Sequence, residues 1–130
     1  MAAPIKASEQ YVKQFFTAEV VADRPTSWEI ALHSSDPALG DIGEVSGGNY
    51  ARQDLAFSAS DKGTYWEAEN EADVVFPAAE IGQNYTVTHY TIRDAVTGEA
   101  LAAAQLPIAI PILDGSILSF PAGYIKVRGV

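Results

Sequence analysis

Apolar residues recur with two different periods along this chain, and the change of period divides it. Val12, Phe15, Phe16 and Val20 fall at i, i+3, i+4 and i+8, one face of a helix over about residues 8–20. Ser8 is placed to cap that helix, and Glu9 suits its positive end. Pro25 forbids its continuation. From Trp28 onward the period is two. Trp28, Ile30 and Leu32 alternate with Glu29, Ala31 and His33, which predicts a strand with one buried face.

A long loop follows from Ser34 to Gly48, punctuated by Pro37, Gly40, Gly43, Gly47 and Gly48. The next strand runs from about Tyr50 to Phe57, with Leu55 and Phe57 on one face. Asp61-Lys62-Gly63 reads as a turn, and Tyr65-Trp66 opens another strand. Val74-Val75-Phe76 is a short strand stopped by Pro77. Tyr85 to Asp94 is the cleanest strand, built from Thr, Tyr, Val and Ile that suit a pleated surface. Asp94 to Glu99 reads as a hairpin turn in which Gly98 supplies a positive φ, and Leu101 to Leu106 returns as the partner strand. Pro107 and Pro111 confine the following segment to an edge or an extended crossover. Asp114-Gly115 turns into a strand Ile117 to Phe120, and Gly123 precedes a last strand, Tyr124 to Arg128. About seven to eight short strands at such spacing predict an all-β fold. The expected architecture is an antiparallel β-sandwich with a short N-terminal helix: one domain over 1–130, the sandwich occupying about 27–129.

Charge narrows the partners. Seventeen acids against eight bases give a net charge of −9 over 130 residues. A phosphate backbone or an anionic membrane surface needs a basic footprint, so neither is an expected partner. The chain has no cysteine, which removes disulfides, thiolate catalysis and cysteine metal sites. The N-terminus lacks the apolar core of a secretion signal, and the apolar run Ala100 to Leu113 is broken by Gln105, Pro107 and Pro111. Folding in a cytoplasm is the expectation.

Candidate chemistry is sparse. His33 and His89 could share a metal with a carboxylate if their strands pair, but no short-range ligand pair supports it. Ser34, Ser35 and Asp36 beside His33 look like triad members, yet neighbours in one turn cannot take the triad geometry. Asp36, Asp41 and Glu44 share a loop without the spacing of an EF-hand, so a solvated acidic loop is the better reading. Glu67, Glu69, Glu71 and Asp73 alternate. A carboxylate pair among them could serve a glycosidase, but a like-charged face that guards an edge strand is the better reading. The glycines before Tyr50 lack the Gly-Lys-Ser/Thr ending of a phosphate loop. Arg52 and Arg93 are scarce bases inside strands, open to a local ion pair or to a subunit interface, where Arg is enriched. No catalytic residue, cofactor or metal is expected.

Five segments together carry a resemblance. They are Ile30–Pro37, the run Gly43-Glu44-Val45-Ser46-Gly47-Gly48-Asn49-Tyr50-Ala51-Arg52-Gln53, Val74–Ala79, and the hairpin Tyr85–Gly98, closed by Phe120-Pro121-Ala122-Gly123. In this order the chain resembles a family of small tailed-bacteriophage virion proteins described as tail fibre-like or head decoration proteins. It departs from the family pattern at Gly98-Glu99, where a second glycine is usual, at Thr91-Ile92-Arg93, and in the Pro107–Pro111 segment. The resemblance implies a non-enzymatic structural protein of the virion, assembled in the host cytoplasm. Implied partners are the major capsid protein or tail proteins, together with further copies of the chain, a trimer in first place. Phe15, Phe16, Tyr50, Arg52, Tyr90 and Arg93 are the expected assembly residues, with core packing as the competing role for the two Phe. A carbohydrate-binding or host-recognition module using Tyr65, Trp66 or Tyr124, and a hydrolase using Glu67, Glu69 and Glu71, are the rival readings.

Overall fold

The computed structural model describes residues 5–19 and 24–129. Among the described residues one helix, α1 (Ile5–Phe16), precedes nine strands: β1 (Trp28–His33), β2 (Gln53–Leu55), β3 (Phe57–Asp61), β4 (Trp66–Asn70), β5 (Val74–Val75), β6 (Tyr85–Asp94), β7 (Ala100–Ile112), β8 (Ser119–Phe120) and β9 (Lys126–Arg128). All pairings are antiparallel. They form a four-stranded sheet in the order β2-β1-β6-β7, a three-stranded sheet β3-β4-β9 and a ribbon β5-β8. The expected all-β, sandwich-like architecture is what the chain adopts.

Register explains the core. Ile30 sits opposite Ile92, which sits opposite Ala102; Leu32, Tyr90 and Ala104 form the next rung. These inner-face residues meet Val74, Phe76, Leu118, Phe120 and Ile125 in one apolar cluster, with Phe57 and Val127 packed against it. Burying such side chains contributes roughly 1.5–3 kcal/mol each. The β6–β7 hairpin closes as expected. Asp94 Oδ1 accepts from the Val96 amide at 2.8 Å, and Gly98 takes φ 76.

Several elements differ from their sequence outlines. The helix begins at Ile5, so Ser8 lies inside it rather than at its cap. It stops at Phe16 because the Thr17 hydroxyl donates to the Lys13 carbonyl at 2.8 Å and itself accepts from the Glu19 amide. Val20 falls outside the described residues. The expected Tyr50–Phe57 strand splits at Ala56, where the chain passes from the four-stranded sheet to the three-stranded one. β7 is an edge strand, as its prolines require, and the residues between Gln105 and Ile110 bulge out opposite Thr88 alone. β4 is not an edge strand but the centre of its sheet. Glu67 and Glu69 face Arg128 and Lys126 across β9 rather than forming a uniformly acidic edge.

Candidate functional site

Both faces of β1 are buried, because the glycine-rich loop folds back over the outer face of the main sheet. The chain leaves β1 at His33 and returns at Glu44, where the two residues form a bridge. Ser34 N–H donates to Gly43 O at 2.8 Å, and Val45 N–H donates to Leu32 O at 3.0 Å. Between them Ala38 and Leu39 take φ 50 and 58, a left-handed turn closed by Gly40 N–H to Pro37 O. That conformation costs L-residues roughly 1–2 kcal/mol each, so contacts elsewhere must hold the loop down.

Two polar clusters do so. In the first, Arg52 grips Glu44 with both prongs of its fork, Nε to Oε2 at 2.9 Å and Nη2 to Oε1 at 2.8 Å. Its Nη1 reaches Glu29 at 3.1 Å. The Tyr50 hydroxyl donates to Glu44 Oε2 at 2.9 Å and accepts from the Leu32 amide at 3.0 Å. Burial works to raise the Glu44 carboxyl, but hydrogen bonds from Arg52 and Tyr50 outweigh it and hold the group below its ordinary value. Burial pushes the Tyr50 phenol well up, so it remains a donor.

The second cluster runs along β6. Arg93, 1% exposed, donates from Nε to Thr91 Oγ1, from Nη1 to Asp41 and Gly98 O, and from Nη2 to Gly40 O. The last three tie the loop to the β6–β7 turn. His33 extends the chain. Ile42 O can only accept, so His33 Nδ1 carries the proton at 2.8 Å, and Nε2 accepts from the Thr91 hydroxyl at 2.9 Å. Burial lowers the imidazole below its usual value, and the Arg93 charge adds to that. His33 is therefore a neutral, fully hydrogen-bonded spacer.

The far end of the motif is pinned too. Asn49 Nδ2 donates to Ala78 O at 3.1 Å, and Gln83 Nε2 donates to Gly47 O at 2.7 Å. Gly48, at φ 54, lies so close to the Gln83 amide that a Cβ there would collide with it.

The six expected assembly residues thus divide. Tyr50, Arg52 and Arg93 serve the clamp, and both arginines make the local ion pairs that were the alternative to an interface role. Tyr90 lies in the core beside Phe120, and burial, with Tyr124 adding, pushes its phenol up to about 12. Phe15 and Phe16 are 66% and 72% exposed. Neither belongs to the buried core cluster, contrary to the core role that periodicity favours. Trp66 is 60% exposed, Tyr65 lies beneath the Arg128 guanidinium, and Tyr124 stacks on Phe120.

β1 and β6 pair so that His33 sits opposite His89, but both ring nitrogens of His33 are already engaged. Asp36, Asp41 and Glu44 turn to three separate partners: the Ala38 amide, Arg93, and the Arg52–Tyr50 pair. Among the described residues no three His, Asp or Glu side chains converge as metal ligands. Sequence reasoning missed Thr91, the relay between Arg93 and His33. It also missed Asn70, which binds Ala72 O, Pro121 O and the Ile125 amide. Thr91 lies in the Tyr85–Gly98 hairpin and Asn70 at the end of β4, but only long-range pairing gives them their roles.

What these residues build is a scaffold for one loop, and the loop overlaps the Gly43–Gln53 segment, one of those that carried the phage resemblance. Comparison with known proteins agrees. No curated protein matches the chain. The family model described as "Podophage GP4 fiber I protein gp80" matches residues 6–128, nearly the whole length. The chain belongs to that family, and is accordingly a bacteriophage fibre-type virion protein.

Proposed function

We propose that the protein is a non-enzymatic part of the fibre apparatus of a tailed-phage virion, held there by protein–protein contacts of α1. The observation that carries this reading is the exposed aromatic face of the helix. Tyr11, Val12, Phe15 and Phe16 are all more than half exposed, and the Tyr11 ring touches those of Phe15 and Phe16 at 5.1 and 5.9 Å. Such a patch marks an interaction site. Tyr50, Arg52 and Arg93, by contrast, spend their polar groups on the loop. The family description favours the fibre over decoration of the capsid lattice, and the net charge of −9 favours protein partners over nucleic acid. Phage assembled with the Phe15→Ala/Phe16→Ala double variant should lack the protein by mass spectrometry of purified particles, while the variant itself stays folded. Normal incorporation would refute the anchoring role.

Host recognition is a second reading, favoured by the exposed Trp66, because stacking on a sugar ring needs an open aromatic face. Binding to host surface polysaccharide that disappears with Trp66→Ala would support it. Absence of binding by the intact protein would end it.

A further inference from the structure

Polar ties, more than apolar packing, hold the segment between His33 and Val45 to the body, because Pro37 is its only buried residue. Segments with so little buried apolar surface lie at the low end of local stability. Two clusters supply the ties. The far end, at Glu44, is fastened by Arg52 and Tyr50. The middle, from Gly40 to Ile42, is fastened by Arg93 and His33.

His33 is fully buried and stands in a directed relay. Arg93 Nε donates to Thr91 Oγ1, the Thr91 hydroxyl donates to His33 Nε2, and His33 Nδ1 donates to Ile42 O. A proton on Nε2 reverses the middle bond. Thr91 Oγ1 then receives N–H groups from both sides, and its own proton loses its acceptor. The new charge also joins that of Arg93, which is itself 1% exposed. The carboxylates around it are committed. Glu44 is gripped by Arg52, which also pairs with Glu29; Asp41 is taken by Arg93, and Asp36 turns to the Ala38 amide. His89, opposite His33 on β6, bonds Thr88 and offers no negative charge. A buried charge without a partner is strongly disfavoured.

We infer that this relay is a pH-sensitive catch: protonation of His33 releases residues 34–43 from β6, while the sheets and the Glu44 cluster stay closed. Release lets the imidazolium reach water and frees Ala38 and Leu39 from their left-handed turn. Burial holds the imidazole of the closed loop below its ordinary 6.5. The closed form is therefore fully favoured above pH 6.5 and loses that preference as the pH falls, by up to about tenfold per unit. Glu44 is held below its ordinary 4.5, so its cluster keeps its charge through the same window. Between pH 6.5 and 4.5 the two clusters part company, and the loop opens at its middle alone.

Amide hydrogen exchange of the intact protein at about pH 7.5 and 5.5, corrected for the intrinsic rate, tests this. The Ser34 amide, which donates to Gly43 O, reports release of the loop. The Val45 amide, which donates to Leu32 O, reports the Glu44 end, and the amides of β6 report the body. Protection at Ser34 should fall about three- to tenfold between the two pH values, with Val45 and β6 unchanged. In His33→Gln, whose amide takes up no proton, protection at Ser34 should no longer depend on pH, whatever its absolute level. His89→Gln should keep the dependence of the parent. A smaller fall at Ser34, an equal fall at Val45 and β6, a dependence that survives in His33→Gln, or one lost in His89→Gln would overturn the inference. Should His33→Gln fail to fold, the contrast between Ser34 and Val45 in the unaltered protein decides alone.

Discussion

Glu44 does more than its place in a flexible-looking loop suggests. Its two oxygens receive three hydrogen bonds, two from Arg52 and one from Tyr50, and through them the loop is fastened to β1. A charge-assisted bond of this kind contributes about 1.5–3 kcal/mol, and leaving its buried partner unsatisfied adds a desolvation cost. Glu44→Gln should therefore lower the unfolding free energy by about 2 kcal/mol in a denaturant titration. Asp36→Asn, which preserves a side-chain acceptor for the Ala38 amide, should cost less than about 0.5 kcal/mol. Equal losses from the two would mean that Glu44 has no special place. Arg93 follows the same logic more strongly, because its fork reaches carbonyls that a lysine cannot satisfy together.

At the level of elements, the helix and the sheet behave differently. Phe15 and Phe16 contribute little to the stability of the isolated chain, so their double alanine variant should melt within about 1 °C of the parent. A loss of several degrees would place the helix on its own sheet. Legibility also differs by element. β6 stands out in the sequence because its β-branched and aromatic residues alternate, and its turn is fixed locally by Asp94 and Gly98. The edge position of β7 follows from prolines that cannot donate to a ladder. What escaped was decided by distant partners. The acidic residues of β4 read as a guarded edge because the bases opposite them, Lys126 and Arg128, lie near the end of the chain. The burial of His33 was hidden because its cover is a loop, and loops carry no periodicity. The helical period told that Phe15 and Phe16 share a face but not what that face meets. The motif from Gly43 to Gln53 was legible as a signature, while its use as a clamp depended on Arg93 and Thr91, far along the chain.

For the whole molecule, acidity and the clamp set the response to pH. His33 has a folded value below its ordinary 6.5, so the unfolded chain binds the proton more readily. Its contribution is complete above pH 6.5 and is lost as the pH falls below that value. Glu44 acts with the same sign lower down. Its contribution is present above 4.5 and is lost as acid protonates it through its lowered folded value. The melting temperature should hold steady from pH 8 to 7 and begin to fall below about 6.5. His33→Gln should flatten that first decline, and an unchanged slope in the variant would exclude the imidazole as its source. On the alkaline side, Tyr90 ionises near 10 when unfolded and about 12 when folded, so its share of stability is lost as the pH rises between those values.

The clamp also sets an order in time. Its ties join residues far apart along the chain, Gly40 and Asp41 to Arg93, and His33 to Thr91. During synthesis the glycine-rich segment emerges well before the strand that will hold it. Its near ties, from Arg52 and Tyr50 to Glu44 and β1, involve only residues made before that strand, whereas the ties to Arg93 and Thr91 wait until β6 has paired with β1. The last latch on the loop thus closes only when the β1–β6 pairing is complete.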